Sequence, residues 1–317
     1  MFVCPKCHTG FHLPKCIKCN FEVEIINGIY HIFTEKYDTP CPNFDEIGIY
    51  YQGLESMPIS DTIDCLASEI AKLIKDGIIL DLGCGDGLLT LPLATKNKQI
   101  IAGDISLKML SLLIDKAKIA NINLEKVQVV RMNAESTFLQ EQSIDLVIAN
   151  NILHLTPEPQ KIIKEIYRVL KKGGMYLVIS DSLEKTYFED HKSDRYHQIA
   201  DEILNRYWGL IKNKGFLPNK YNTNFNQYDI LSGLFNNKKT IKSKKCRYSG
   251  IRNLQKDFIK RFENKAFYQQ ANIPRKVHED VYKIVMDEIH QKYPDDFSKV
   301  TYSYWGVDEN IIDVYFK

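Results

Sequence analysis

The run Ile78-Ile79-Leu80-Asp81-Leu82-Gly83-Cys84-Gly85-Asp86-Gly87 constrains this chain more than any other stretch of it. An apolar segment empties into three alternating glycines, and glycine tolerates turn conformations closed to other residues while letting the backbone approach a ligand closely. The segment therefore reads as a buried strand, a tight turn and the start of a helix. The residues beyond Gly87 keep that rhythm. Leu88 to Lys96 reads as a helix interrupted by Pro92, Gln99 to Gly103 as a strand, and Ser106 to Ala120 as a helix capped by Ser106. Val127 to Met132 and Ile144 to Ala149 are further strands. A helix with Pro157 in its first turn then buries Ile162, Ile163, Ile166, Val169 and Leu170, and Gly173-Gly174 ends it before the strand Met175 to Ser180. Strands separated by helices predict an α/β domain with a parallel, doubly wound sheet. Ahead of it, Ile63, Leu66, Ala67, Ile70, Leu73 and Ile74 have helical spacing from Asp61 onward.

The glycine spacing and its acids narrow the ligand. Leu88 stands where the third glycine of the dinucleotide-binding fingerprint would fall. Asp81 and Asp86 put carboxylates beside the turn, where they would repel a pyrophosphate at low effective dielectric. S-adenosylmethionine has no phosphate but carries an ammonium and a sulfonium, so acid suits it.

With Asp81 ahead of Gly83, Gly85 and Gly87, the segment resembles the first motif of the class I S-adenosylmethionine-dependent methyltransferases, of the form acid-x-Gly-x-Gly-x-Gly. The resemblance spans about Ile78 to Ser180. It implies a Rossmann-like methyltransferase sheet with cofactor contacts from Asp81, Gly83, Cys84, Gly85 and Gly87. Asp104, twenty-three positions after Asp81 and followed by Ile105, matches the acid that holds both ribose hydroxyls; the alternative is a helix cap beside Ser106. Asn133-Ala134-Glu135 matches the adenine-contacting segment, with Asn133 where many relatives have Asp. Asn150 and Asn151 end the fourth strand, near the expected position of the amino-acid moiety, or else cap the following turn. His154 is a candidate general base or simply a packed histidine. Tyr50 and Tyr51 fall where related enzymes have an aromatic lid residue, with core packing as the alternative.

Four of the eight cysteines lie in the first twenty residues, as Cys4-x-x-Cys7 and Cys16-x-x-Cys19. Two such knuckles let four thiolates converge on one tetrahedral Zn2+, and a segment this short has too little core to fold without a staple. Disulfides are the alternative, disfavoured in a reducing compartment. A zinc ribbon ending near Phe33 is thus expected. A ribbon ahead of this fold is similar to the large-subunit ribosomal-RNA guanine methyltransferases, although those have a longer gap between ligand pairs and commonly a His as last ligand.

These readings divide the 317 residues into a ribbon (1–33), a connecting segment with the first helix (34–76), a cofactor-binding core (77–183), a mostly helical substrate or lid region (184–298) and a terminal strand pair completing the sheet (299–317). In the lid region, Ile199, Ile203, Leu204, Tyr207 and Leu210 form one apolar stripe, and Val277, Val281, Ile284 and Val285 another. No apolar run approaches the roughly 20 residues of a membrane span, and no secretion signal opens the chain, so a cytoplasmic protein is expected. Between Lys238 and Lys265, eleven Lys or Arg face two acids in a chain of net charge +2. This window is either a solvated face or a phosphate contact. The expected activity is methyl transfer to a small molecule, because Asn150-Asn151-Ile152-Leu153-His154-Leu155 does not have the Asn-Pro-Pro-Tyr form used on nucleic-acid amines. The alternatives are a ribosomal-RNA base methyltransferase and a non-catalytic zinc-ribbon scaffold.

Overall fold

A computed structural model of the protein describes residues 2–32, 44–47, 61–156, 158–188, 192–218, 227–294 and 296–317. The amino-terminal segment contains β1 (Phe2–Val3), β2 (Gly10–Phe11), β3 (Glu24–Ile26) and β4 (Ile29–His31). After the short α1 (Phe44–Ile47) comes α2 (Asp61–Leu73), which buries Leu66, Ala67 and Ile70 on one face as its spacing requires. The alternating core comes next: β5 (Ile78–Leu82), α3 (Thr90–Thr95), β6 (Gln99–Asp104), α4 (Leu107–Ile119), β7 (Val127–Arg131), β8 (Ile144–Ile148) and α5 (Pro159–Val169). The chain continues through β9 (Leu170–Phe188), α6 (Lys192–Asn213), α7 (Gln227–Leu234), β10 (Asn237–Lys242) and β11 (Cys246–Asn253). A π turn, Leu254–Ile259, leads into α8 (Lys260–Glu263), and α9 (Arg275–Lys292) and β12 (Thr301–Phe316) complete the described elements.

Nine of these strands lie side by side in the order β10-β12-β9-β8-β5-β6-β7-β4-β3, with β11 also paired to β12. The central run from β9 to β4 is parallel, and antiparallel pairs extend it at both edges. The result is a Rossmann-like α/β fold around a mixed sheet. Both faces are covered, so adjacent strand residues belong to different cores: Ile79, Ile100 and Leu146 pack with Ile70, Leu93 and Leu113, whereas Leu80, Ile101 and Val147 pack with Ile162 and Ile166. A third cluster joins α6, α8 and α9 through Ile203, Tyr207, Phe262, Val281 and Val285.

One expectation from sequence needs correction. The carboxyl terminus is one continuous strand and not a strand pair, because β9 runs for 19 residues and offers ladder partners to β12 from Tyr304 to Phe316. The region 184–298, expected to be mostly helical, also carries the strands β10 and β11. β10 escaped a sequence reading because its exposed run Asn237-Lys-Lys-Thr-Ile-Lys has the lysine-rich character of an edge strand. Within α9 the apolar stripe passes through Val281, Val285 and Ile289, leaving Ile284 46% exposed. No helix among the described residues is long and apolar enough to cross a membrane.

The third cluster also holds a buried histidine. His278 accepts from the Tyr207 hydroxyl at Nδ1 (2.8 Å), because its Nε2–H is committed to the Glu263 carbonyl (2.8 Å). Burial pushes its pKa below the ordinary 6.5. The unfolded chain therefore binds this proton first, so the contribution is fully present above about pH 6.5 and is lost as pH falls below it. Tyr207→Phe leaves Nδ1 unsatisfied and is expected to cost about 1–3 kcal/mol in urea unfolding at pH 7.5. An unchanged midpoint would contradict this account of the cluster.

Candidate functional site

The parallel strands all end on one edge of the sheet, and the loops leaving those ends build the site. The bend after β5 is tied to β6: the Gly83 and Cys84 amides both donate to the Gly103 carbonyl, at 2.7 and 3.1 Å. Gly87 then donates to Cys84 O and accepts from the Leu91 amide, delivering the chain into α3. Gly83 has φ +73°, and a Cβ there would stand 2.1 Å from Cγ2 of Ile152, in the loop after β8. Gly85 differs: at φ +55° its nearest neighbour would be the Met109 methyl at 3.4 Å. Gly83 is required by packing, whereas Gly85 presents bare backbone.

Two carboxylates dominate the electrostatics. Asp104, partly exposed at the end of β6, accepts from the Gly85 amide at Oδ2 (2.8 Å) and from the Ser106 amide at Oδ1 (2.9 Å). A carboxylate has about four acceptor positions, so capacity remains for hydroxyl donors. The helix cap itself is Ser106, whose Oγ accepts from the Met109 amide. Asp81 is buried and accepts from the Thr90 hydroxyl at 2.6 Å. Burial, with Asp104 adding repulsion, pushes its pKa up to about 6, and burial likewise raises Asp104. Asp86, expected beside them, is instead paired with Lys116 of α4 at 2.6 Å, so its charge is offset locally. Asp45 in α1 adds a contact that sequence reasoning missed, accepting from the Ser106 hydroxyl (2.8 Å) and the Lys108 amide (3.0 Å) at the start of α4.

The neighbouring loops complete the edge. Asn133 Oδ1 accepts from the Glu135 amide (2.8 Å), and Glu135 accepts from the Thr156 hydroxyl (2.7 Å), binding the loop after β7 to the loop after β8. Ala134 packs against the core, and the Ile105 carbonyl accepts from Arg131 Nε (3.0 Å). Asn150 is half-buried two residues past β8, while Asn151 is exposed at φ +57°, a left-handed turn position that Asn tolerates. His154 lies in a short 3-10 turn, and burial lowers its pKa, favouring the neutral ring. The Cys84 thiol is buried among acids, which holds it in the neutral, unreactive form. The structure thus gathers Asp81, Gly83, Cys84, Gly85, Gly87, Asp104, Ile105, Asn133, Ala134, Asn150 and His154 along one edge. Tyr50 and Tyr51 lie outside the described residues.

In the amino-terminal segment, the ligand atoms of Cys4, Cys7, Cys16 and Cys19 all lie within 4.8 Å of one another. The two knuckles repeat the same backbone pattern. Cys4 donates to Thr9 O and accepts from the His8 amide, just as Cys16 donates to Phe21 O and accepts from the Asn20 amide, with His8 and Asn20 both left-handed. In the basic window, Lys238 and Lys242 are paired with Asp313 and Glu309 of β12.

Residues 80–178 match the family profile described as "Methyltransferase domain". Among curated proteins, the chain is 27% identical over 56% of its length to 60% of an uncharacterized chloroplastic methyltransferase from Arabidopsis thaliana. It is 34% identical over 55% of its length to 65% of the ubiquinone/menaquinone biosynthesis C-methyltransferase UbiE of Pseudoalteromonas translucida. The chain therefore spans about two thirds or less of these relatives. A solved phosphoethanolamine N-methyltransferase 2 of Haemonchus contortus with S-adenosyl-L-methionine aligns with 90% of this chain and 61% of its own, at 16% identity and a TM-score of 0.43. The matched segment, residues 80–178, lies within the Rossmann-like core and is similar to a methyltransferase domain.

The two glycine environments differ enough to test. Gly83→Ala is expected to lower the thermal midpoint strongly, because it meets Ile152 and a left-handed backbone together. Gly85→Ala should carry only the backbone cost, about 1–2 kcal/mol. Equal losses for the two variants would contradict the packing role of Gly83.

Proposed function

We propose that this protein transfers the sulfonium methyl of S-adenosylmethionine to a small-molecule acceptor. The observation that carries this reading is Asp104, held at the end of β6 by the Gly85 and Ser106 amides with acceptor capacity left over. A carboxylate so fixed can accept from both hydroxyls of a ribose in charge-assisted hydrogen bonds. Asp81, together with Asp104, gives the glycine bend negative character that suits a cationic nucleoside and opposes a diphosphate. Gly85 lets backbone lie against the ligand, and the turn Asn133-Ala134-Glu135 is available to an adenine edge.

The cofactor supplies an activated methyl group, so the protein's task is to align an acceptor with it. Neutral His154, near the end of β8, is suited to accepting a proton from the acceptor. Asn150 is assigned to positioning the amino-acid end of the cofactor. A small-molecule acceptor is supported by the sequence after β8 and by the similarity to a quinone-biosynthesis C-methyltransferase.

The four clustered cysteines fit one structural zinc. Tetrahedral Zn–S bonds of about 2.3 Å require sulfurs about 3.8 Å apart, and the Cys4–Cys19 and Cys7–Cys16 pairs stand at 3.5 and 3.7 Å. Cys4, Cys7, Cys16 and Cys19 would hold the ion, which crosslinks the knuckles and takes no part in transfer. Such ligation needs reduced thiols, in keeping with a cytoplasmic protein.

Native mass spectrometry of protein isolated from cells is expected to show one zinc and, in a fraction of molecules, a bound S-adenosyl nucleoside. Asp104→Ala should remove the nucleoside while the zinc stays, and Cys16→Ser should remove the zinc. Wild-type protein lacking both would contradict the reading. Because the ligand cation favours ionised Asp81, cofactor affinity should also fall as pH drops through about 6. Affinity that stays flat between pH 7.5 and 5 would remove Asp81 from the binding account.

A further inference from the structure

The cysteine ribbon is built into the same loop that carries Asn133, Ala134 and Glu135. Strand β1 pairs with β2, but Val3 N–H also donates to the Phe138 carbonyl at 2.6 Å, and Phe2 bridges to Leu139. In β2, Gly10 lies so close to Gln140 that a Cβ would stand 1.8 Å from its Nε2. Further along, β4 runs parallel to β7, with Tyr30 beside Val130 and His31 beside Arg131. Phe2, Cys4, Phe11, Cys16 and Ile32 belong to one buried cluster with Val130, Met132 and Leu139. The ribbon therefore grips the 132–140 loop at its start, through β7, and at its end, through Phe138 to Gln140.

The other side of the loop is fixed independently of the ribbon. Thr137 donates from both its amide and its hydroxyl to Glu165 of α5, and Arg168 of the same helix donates to the Leu139 carbonyl at 2.7 Å. Phe138 sits between these anchors at φ +56°, a conformation that persists only when its surroundings enforce it. α5 holds one side and the ribbon the other.

The ribbon's own strands cannot supply this grip unaided. β1 and β2 have two residues each, and an isolated two-stranded pair of any length is marginal in water. Convergence of the four sulfurs fixes the knuckles that space these strands. We propose that the ribbon is a metal-dependent clamp, through which zinc at Cys4, Cys7, Cys16 and Cys19 orders the 132–140 loop and so sets affinity for the nucleoside. This deepens the methyltransferase reading and rests on it for the identity of the ligand. Loss of the metal deprives the Phe138 carbonyl of its Val3 partner and uncovers Leu139 and Met132, loosening Asn133 to Glu135 without altering Asp104. The coupling is reciprocal, so bound nucleoside must also hold the metal more tightly.

The test uses the full chain with its metal and after stripping by a chelator. Hydrogen exchange read by mass spectrometry is expected to speed up at least tenfold in peptides covering 132–140 when zinc is removed, with peptides from α9 unchanged. Chelator-trapped zinc release from the untreated protein should slow several-fold in saturating S-adenosylhomocysteine. Unchanged exchange in the loop, or acceleration spreading equally into α9, overturns the clamp. Purified protein that holds no zinc overturns it as well, as does nucleoside that binds without slowing release. If S-adenosylhomocysteine binds neither form while loop exchange still responds to zinc, the methyltransferase reading fails and the metal-dependent ordering of the loop stands.

Discussion

The site depends on how the bend after β5 is fastened to the end of β6. Two amides of the bend, Gly83 and Cys84, share the Gly103 carbonyl, and a third, Gly85, donates to the Asp104 side chain one residue later. These bonds settle the path of the glycine turn and the aim of the carboxylate at once. Neither can shift alone, because moving Asp104 would strand a backbone donor. The acid that would meet a ribose is thus also the acid that orders the backbone beneath it, a form of preorganisation.

The sheet extends this logic outward. At one edge, β12 lies along β9 well past the parallel core and carries β10 and β11 with it, giving α6 a platform on which α9 packs in turn. At the other edge, β4 and β3 continue the sheet beyond β7, so the stretch that follows the cysteine knuckles is part of the same hydrogen-bonded layer, while β1 and β2 form a separate two-stranded sheet. The candidate site lies between two additions to one sheet, and the loop after β7 is the place where the amino-terminal addition meets it.

Much of this was legible in the sequence because its signals are local. Ile78 to Leu82 and Gly83 to Gly87 specify strand and bend without reference to anything distant, and the two Cys-x-x-Cys knuckles announce their convergence by spacing alone. The apolar stripe of α6 was equally readable, with Ile199, Ile203 and Tyr207 all buried. Long-range pairings were not legible. Asp86 looks like a site acid until Lys116, thirty residues on, is seen to take its charge, and Asp45 gives no sign of its contact with Ser106. Ile284 fits a helical stripe by spacing but faces solvent, because the packing of α9 turns on the buried His278. The continuous course of β12 was hidden as well, since only the length of β9 makes a hairpin unnecessary.

The central claim is that negative charge at a glycine bend selects a cationic sulfur nucleoside over a diphosphate. Side-by-side calorimetric titration of the purified protein with S-adenosylmethionine and with NAD tests it most directly. The account predicts one saturable site for the first and no measurable heat of binding for the second. Saturable binding of NAD, with S-adenosylmethionine inert, would contradict it.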